Sequence, residues 1–274
     1  MSAVRKFYDD IAEREWKRLT SDAYHRLEYI VTVHFLEKYL PPSGLVLDAG
    51  GGPGRYSIEL AKRNYEVVLL DLSPKCLELA ERKIARARVR GNVRRIVEGS
   101  ITDLSAFRNK EFDAVLCLGP FSHLIERSDR EKAASEIVRV AKNGAPLFIG
   151  AIGLYGVFRT VLQRLQHELT DPSYEEMFTT GVHRWHRDSH EGVRGFPDAV
   201  FWHPNDLREL FERRGVKTLE MATCEGLSSH LRGPTNRLYR DKARWARWEE
   251  LILKTCTDPI LLGVGEHFLY VGRK

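Results

Sequence analysis

Between residues 44 and 152 the chain alternates short β-branched or aliphatic runs with segments of helical spacing, and nothing else constrains its fold as strongly. The runs are LVLDAG, EVVLLDL, NVRRIVEG, FDAVLCLG and APLFIGAI. Between them, Arg55 to Arg63, Pro74 to Val89 and Asp129 to Lys142 place apolar residues three and four apart, and Pro74 after Ser73 suits a first helical turn. Strands that alternate with helices read as a parallel sheet covered by helices, with ligands taken at its carboxyl edge.

The flanks read differently. Residues 1–40 read as two helices, with Ile11, Trp16 and Leu19, then Leu27, Ile30, Val31 and Phe35 at helical spacing, and Pro41-Pro42-Ser43-Gly44 ends them. From Gly153 to His203 the alternation stops, and a helix through Val161 and Leu165 leads into a segment rich in Tyr, Trp, His and Gly. Order resumes with His203-Pro204-Asn205-Asp206, a helix-start signature, followed by a helix to Arg214, Gly215 as its stop and a strand from Val216 to Thr223. A helical stretch is expected over Thr235 to Lys254, and EHFLYVGRK closes the chain as a strand that can run antiparallel. The expected organisation is a helical cap (1–43), a ligand-binding core (44–152), an inserted cap or lid (153–203) and the end of the core (204–274).

Composition excludes several classes. With 43 Lys+Arg against 38 Asp+Glu the net charge is +5, modest for 274 residues, and 43% hydrophobic content supplies a core. The longest uncharged stretch, Asn143 to Phe158, is interrupted by Pro146 and glycines and stops before it could span a bilayer. No membrane association is expected. The N-terminus has no apolar signal segment, and Cys76, Cys117, Cys224 and Cys256 stand far apart without a CxxC pair, so a reduced, cytoplasmic setting is expected.

The strongest chemical signal is Val46-Leu47-Asp48-Ala49-Gly50-Gly51-Gly52-Pro53-Gly54-Arg55, joining the first strand to its helix. Glycines there let backbone approach a nucleotide-like ligand beside a helix N-terminus. The dinucleotide fingerprint GxGxxG would put its third glycine where Arg55 stands, which weakens a nicotinamide reading. Asp71 ends the second strand about 20 residues on, where a carboxylate can accept from both hydroxyls of a ribose. Asp48 is read either as a ligand contact or as a residue that orients the loop.

Several motifs in order make the chain resemble a class I S-adenosylmethionine-dependent methyltransferase over residues 44–152. LDAGGGPGRYS resembles that family's glycine-rich motif, LLDLSPKCLELA its ribose motif, VEGSITDL its adenine motif, FDAVLCLGPFSHL its fourth strand and EIVRVAKNGAPLFIG its fifth helix and strand. The resemblance implies an α/β, Rossmann-like, seven-stranded and mostly parallel sheet with an antiparallel last strand, plus a helical cap. It implies S-adenosyl-L-methionine as cofactor, with Asp48, Gly50, Gly51, Gly52, Asp71, Leu72, Ser100, Ile101 and Leu118 as the binding residues. Ser100 stands where many members of the family have Asp, and Asp103 is a candidate substitute.

The resemblance also narrows the acceptor. Relatives that methylate exocyclic base amines usually carry an Asn/Asp/Ser-Pro-Pro-aromatic motif, whereas here the string is Leu118-Gly119-Pro120-Phe121. Cys117 reads as a core residue rather than the nucleophile that cytosine C5 chemistry needs. His123, Tyr155 and His186 are the candidate catalytic residues: His123 as a base past the fourth strand, Tyr155 on the pocket wall after the fifth, and His186 in the insertion. His183, His186 and His190 could bind zinc on a helix, but Gly181, Gly192 and Gly195 favour a loop, and no metal is expected. Phe178, Trp185, Phe196, Phe201 and Trp202 suggest an aromatic cap over a small-molecule pocket, with Tyr8, Tyr24 or Arg26 closing the cofactor side. The expected function is therefore methyl transfer to an O, N or S nucleophile of a small molecule. RNA is the alternative acceptor, from the basic residues of Arg82 to Arg95 and of Arg232 to Arg247, and a noncatalytic cofactor binder is the other alternative.

Overall fold

The computed structural model describes residues 2–184 and 197–274. Two helices come first, α1 (Ala3–Arg18) and α2 (Ala23–Tyr39), each started by a side-chain cap: Ser2 accepts from the Arg5 N–H and Asp22 from the His25 N–H. The alternating region follows as β1 (Leu45–Ala49), α3 (Arg55–Lys62), β2 (Glu66–Asp71), α4 (Pro74–Ala87), β3 (Val93–Glu98), β4 (Ala114–Leu118), α5 (Arg127–Val140) and β5 (Pro146–Ile152). Beyond it lie α6 (Leu154–Arg164), α7 (Ser173–Thr180), β6 (Val182–His183), β7 (Ala199–Val200), α8 (Pro204–Glu212), β8 (Lys217–Thr223), α9 (Arg232–Leu238), α10 (Lys242–Thr255), α11 (Pro259–Leu262) and β9 (His267–Arg273).

Among the described residues, a seven-stranded sheet has the order β3-β2-β1-β4-β5-β9-β8. The first five of these strands pair in parallel, and β9 runs antiparallel to both β5 and β8. The expected fold is therefore present, with the last strand reversed. Because successive side chains of a strand point to opposite faces, the sheet builds two cores. Val46, Val67, Leu69, Leu116 and Leu269 face one layer, where Leu27, Val31 and Phe35 of α2 pack. Leu47, Val68, Val115, Leu147 and Phe268 face the other, against Ile137 of α5 and Phe211 of α8.

Helix α2 is thus part of a core layer, whereas α1 lies farther out, on α4, through Ala12, Cys76 and Leu79. The expected helical stretch, Thr235 to Lys254, is divided between two helices, α9 and α10. The Asp241 carboxylate accepts from the N–H groups of Ala243 and Arg244, both at 3.1 Å, which starts a new helix there. Among the described residues no helix is long and apolar enough to cross a membrane.

Candidate active site

From β1 the chain moves outward through β2 to β3, then returns past β1 to β4 and β5. Such a reversal opens a crevice at the carboxyl ends of β1 and β4, and the glycine loop lies across it. The N–H groups of Gly50 and Gly51 donate to the Leu70 carbonyl at 2.6 and 3.2 Å, which holds the loop against the end of β2. Gly50 has φ of +76°, and a Cβ there would collide with the Pro120 ring. A Cβ on Gly51 would stand 2.5 Å from the Asp48 carboxyl carbon, so neither position admits a side chain.

Two carboxylates, the buried Asp48 and the half-buried Asp71, hold this loop. Asp48 accepts from the Ser57 hydroxyl at 2.7 Å, and burial pushes its pKa up to about 6. Of the two roles considered for Asp48, this contact favours orienting the loop. Asp71 accepts from the Gly52 N–H at 2.7 Å and the Ser73 N–H at 2.8 Å; burial raises its pKa to about 6, against the pull of these bonds. A carboxylate has about four acceptor positions, so Asp71 keeps capacity for a ligand.

All nine residues that the resemblance assigns to the cofactor line one cavity of about 300 Å³ at this crevice. A Cβ added to Gly52 or Gly119 would meet nothing within 4 Å, because both glycines face its open space. The cradle therefore fits a nucleoside with an extended substituent: carboxylate at the ribose end, bare backbone at the other. Ser100 bonds Thr102, with its hydroxyl 2.8 Å from the Thr102 hydroxyl. Asp103 instead accepts from the Ser105 N–H at 3.1 Å and lies outside the lining, while Asp129 of α5 is on it.

A second cavity of about 860 Å³ adjoins the first and shares with it Tyr8, Glu15, Arg18, Leu118, Gly119 and His123. His123 stands at that junction, and its chemistry is not that of the expected base. Burial lowers its pKa to about 4, only partly offset by a backbone hydrogen bond at Asp198, and its Nε2 is 2.8 Å from the Tyr8 hydroxyl. The imidazole is neutral and weakly basic. Desolvation of the half-buried Tyr8 pushes its phenol pKa upward.

Tyr155, expected on the pocket wall, lines neither cavity. It is 40% exposed, its ring meeting His203 edge-on at 6.1 Å. The aromatic cap is also placed differently. Trp202 is buried in the core with Nε1 donating to the Phe121 carbonyl at 3.2 Å, Phe201 is buried against α6 and α7, and Phe178 is exposed beside Phe158. His183 is buried and stacked on Tyr174 at 5.0 Å. His186, His190, Trp185 and Phe196 lie outside the described residues. Of the three residues named for the cofactor side, Tyr8 reaches the site, while Tyr24 donates to Glu266 and Arg26 to Tyr239.

The inner wall of the second cavity is an ion network that no local motif signals. Arg18 of α1 donates Nε to Glu15 at 2.9 Å and both terminal nitrogens to Glu28 of α2 at 2.5 and 3.0 Å. The His267 Nδ1, at the start of β9, is 2.6 Å from Glu225 and 3.9 Å from Glu28. Burial disfavours charge on both Glu28 and His267, yet the opposite charges prevail. Arg18 and His267 bring Glu28 down to about 2, and Glu28 and Glu225 raise His267 to about 9. Glu28, Glu225 and His267 group their polar atoms within 4.8 Å, but the Arg18 guanidinium already takes both oxygens of Glu28.

In the basic runs, Arg94 pairs with Glu66, Lys83 with Glu13, Arg232 with Asp22, Arg244 with Asp241 and Arg247 with Glu250. Trp16 lies between Arg55, 4.1 Å from its ring centre, and Lys83, at 4.9 Å.

Residues 46–144 match a protein-family model described as a methyltransferase domain. A glycine/sarcosine N-methyltransferase of Parasynechococcus marenigrum is 33% identical over 147 residues, covering 53% of this chain and 50% of the relative. The chain thus spans about half the length of that curated relative. A S-adenosylmethionine-dependent methyltransferase from Methanosarcina mazei has a TM-score of 0.59 at 18% identity, with 88% of this chain and 96% of that one covered. The 1,6-didemethyltoxoflavin-N1-methyltransferase of Burkholderia thailandensis, solved with bound 1,6-didemethyltoxoflavin and S-adenosylhomocysteine, has a TM-score of 0.56 at 14% identity, with 99% and 87% covered. At these identities the two structures share the fold.

Two outcomes are expected. Asp71→Ala weakens binding of S-adenosylhomocysteine by about 1–3 kcal/mol, through lost ribose bonds and a loosened Gly52; calorimetric titration showing wild-type affinity would remove Asp71 from the site. His267 has a folded-state pKa above its ordinary value of 6.5, so its contribution to stability is full below about pH 6.5 and is lost as pH rises through about 9. Urea unfolding should therefore show stability falling more steeply from pH 7 to 10 in the wild type than in His267→Gln, and parallel profiles would contradict the network's charge state.

Proposed function

With a class I S-adenosylmethionine-dependent methyltransferase domain at its core, this chain, we propose, methylates an O, N or S nucleophile of a small molecule. The observation that carries this reading is the wall common to the two cavities: a donor held in one and an acceptor held in the other meet at Leu118, Gly119 and His123. When bound, S-adenosylmethionine supplies an electrophilic methyl group on a sulfonium. Asp71 would hold its ribose, Ser100 and Ile101 its adenine, and the Gly50–Gly52 backbone with Leu118 its amino-acid end.

Transfer of a methyl group by displacement needs donor and acceptor in line and water kept out. Tyr8 and His123 serve both needs, because this half-buried, hydrogen-bonded pair stands across the junction on the α1 side. A histidine held near pKa 4 is a poor base, so we read His123 as a residue that aligns and excludes rather than one that deprotonates. We read α1, within residues 1–43, as the cap over the cofactor side, and 153–203 as an insertion into a core formed by 44–152 and 204–274. The cytoplasm is the compartment we propose, since the four cysteines are buried free thiols.

The test is transfer of labelled methyl from S-adenosylmethionine into cell extract divided into small-molecule, RNA and protein fractions. Label in the small-molecule fraction is expected. Label in RNA would move the acceptor to the basic surfaces, and no label in any fraction, with cofactor binding demonstrated, would favour a noncatalytic binder.

A further inference from the structure

The second cavity is chemically lopsided. Its inner carboxylates are already committed: Glu28 accepts twice from Arg18, and Glu15 accepts from the same guanidinium. At the rim, Glu13 pairs with Lys83. Its donors are not exhausted. A guanidinium carries five N–H groups, and Arg18 uses three on these two glutamates. The His267 Nδ1 is turned to Glu225, and its side chain is 30% exposed while lining the cavity. Set between two carboxylates, that imidazole is cationic, and its Nε2 is then a second N–H donor on the same wall. Further out on the lining, Arg14, Lys17 and Arg164 pair with no carboxylate among the described residues.

We propose that this wall receives a carboxylate of the methyl acceptor, bound by the remaining N–H groups of Arg18 and by Nε2 of His267, so that the acceptors are small organic acids. The proposal rests on the methyltransferase reading and adds the acceptor's class to it. Glu225 and Glu28 are positioning residues here. They hold His267 charged and Arg18 planar against the cavity, while the outer cations draw an anion inward. A cationic acceptor is disfavoured, because no carboxylate on the inner wall is left to receive it without breaking an Arg18 pair.

The test uses the whole protein saturated with S-adenosylhomocysteine and titrated calorimetrically with phenylacetate, phenylacetamide and phenethylamine, three probes of similar shape that differ in charge. Acetate and acetamide serve as a smaller pair. At least one acid should bind ten times or more tightly than its amide, with the amine weakest. His267→Gln should bring acid and amide within about threefold while leaving S-adenosylhomocysteine affinity unchanged. Arg164→Gln, at an exposed position, should weaken the acid alone and provides the readout if the His267 substitution fails to fold. An amide or amine that binds as well as the acid, binding of neither acid at millimolar concentration, or an acid preference that survives both substitutions would overturn the proposal. These results would leave the methyltransferase reading standing, whereas failure to bind S-adenosylhomocysteine would overturn both.

Discussion

The reversal of strand order at β1 is the constraint on which the rest of the structure depends. Parallel strands that leave β1 in opposite directions leave their carboxyl ends uncovered at one place, and there the chain puts its bare backbone. The contact between the Asp71 carboxylate and the Gly52 N–H then ties the end of β2 to the loop that follows β1. Asp48, buried and bonded to Ser57, supports the same loop from beneath. Both carboxylates remain solvated poorly enough to titrate near pH 6, so the crevice carries charge that a ligand's hydroxyls can stabilise.

The second cavity is built on a different principle. Its wall is assembled by ion pairs between α1, α2, the loop after β8 and the start of β9, four segments that meet only in the folded chain. Desolvated charges are costly singly and tolerable when matched, and the pairing of Arg18 with Glu28 through two nitrogens supplies the geometry that such pairs need. The same pairs connect the outer helix to the sheet. Helix α1 is therefore attached beyond its apolar contacts with α4, among others by Tyr8 to His123 at the cofactor junction and by Arg18 to Glu28 at the wall of the second cavity.

The cofactor crevice was legible in the sequence because its parts are local. A strand, a run of glycines and a helix start within a dozen residues leave one backbone path, and Asp71 follows at the end of the next strand. The acceptor wall was not legible, because Arg18, Glu28, Glu225 and His267 share no spacing, and each by itself is an ordinary charge on a helix, loop or strand end. The aromatic residues of the insertion misled for a related reason: hydrophobicity marks burial, and Trp202 and Phe201 are buried in cores rather than over a pocket. Tyr155 is the converse case, following β5 in sequence but turned outward on the first turn of α6. The low basicity of His123 was not readable, since it depends on burial in the folded chain.

The donor methyl should stand where the two cavities meet. With S-adenosylmethionine carrying a 13C-labelled methyl bound to the protein, nuclear Overhauser spectroscopy reads that placement directly. Transfer from the methyl to the ring protons of Tyr8 and His123 is the expected result. A bound cofactor whose methyl contacts neither ring would contradict the shared wall as the site of transfer.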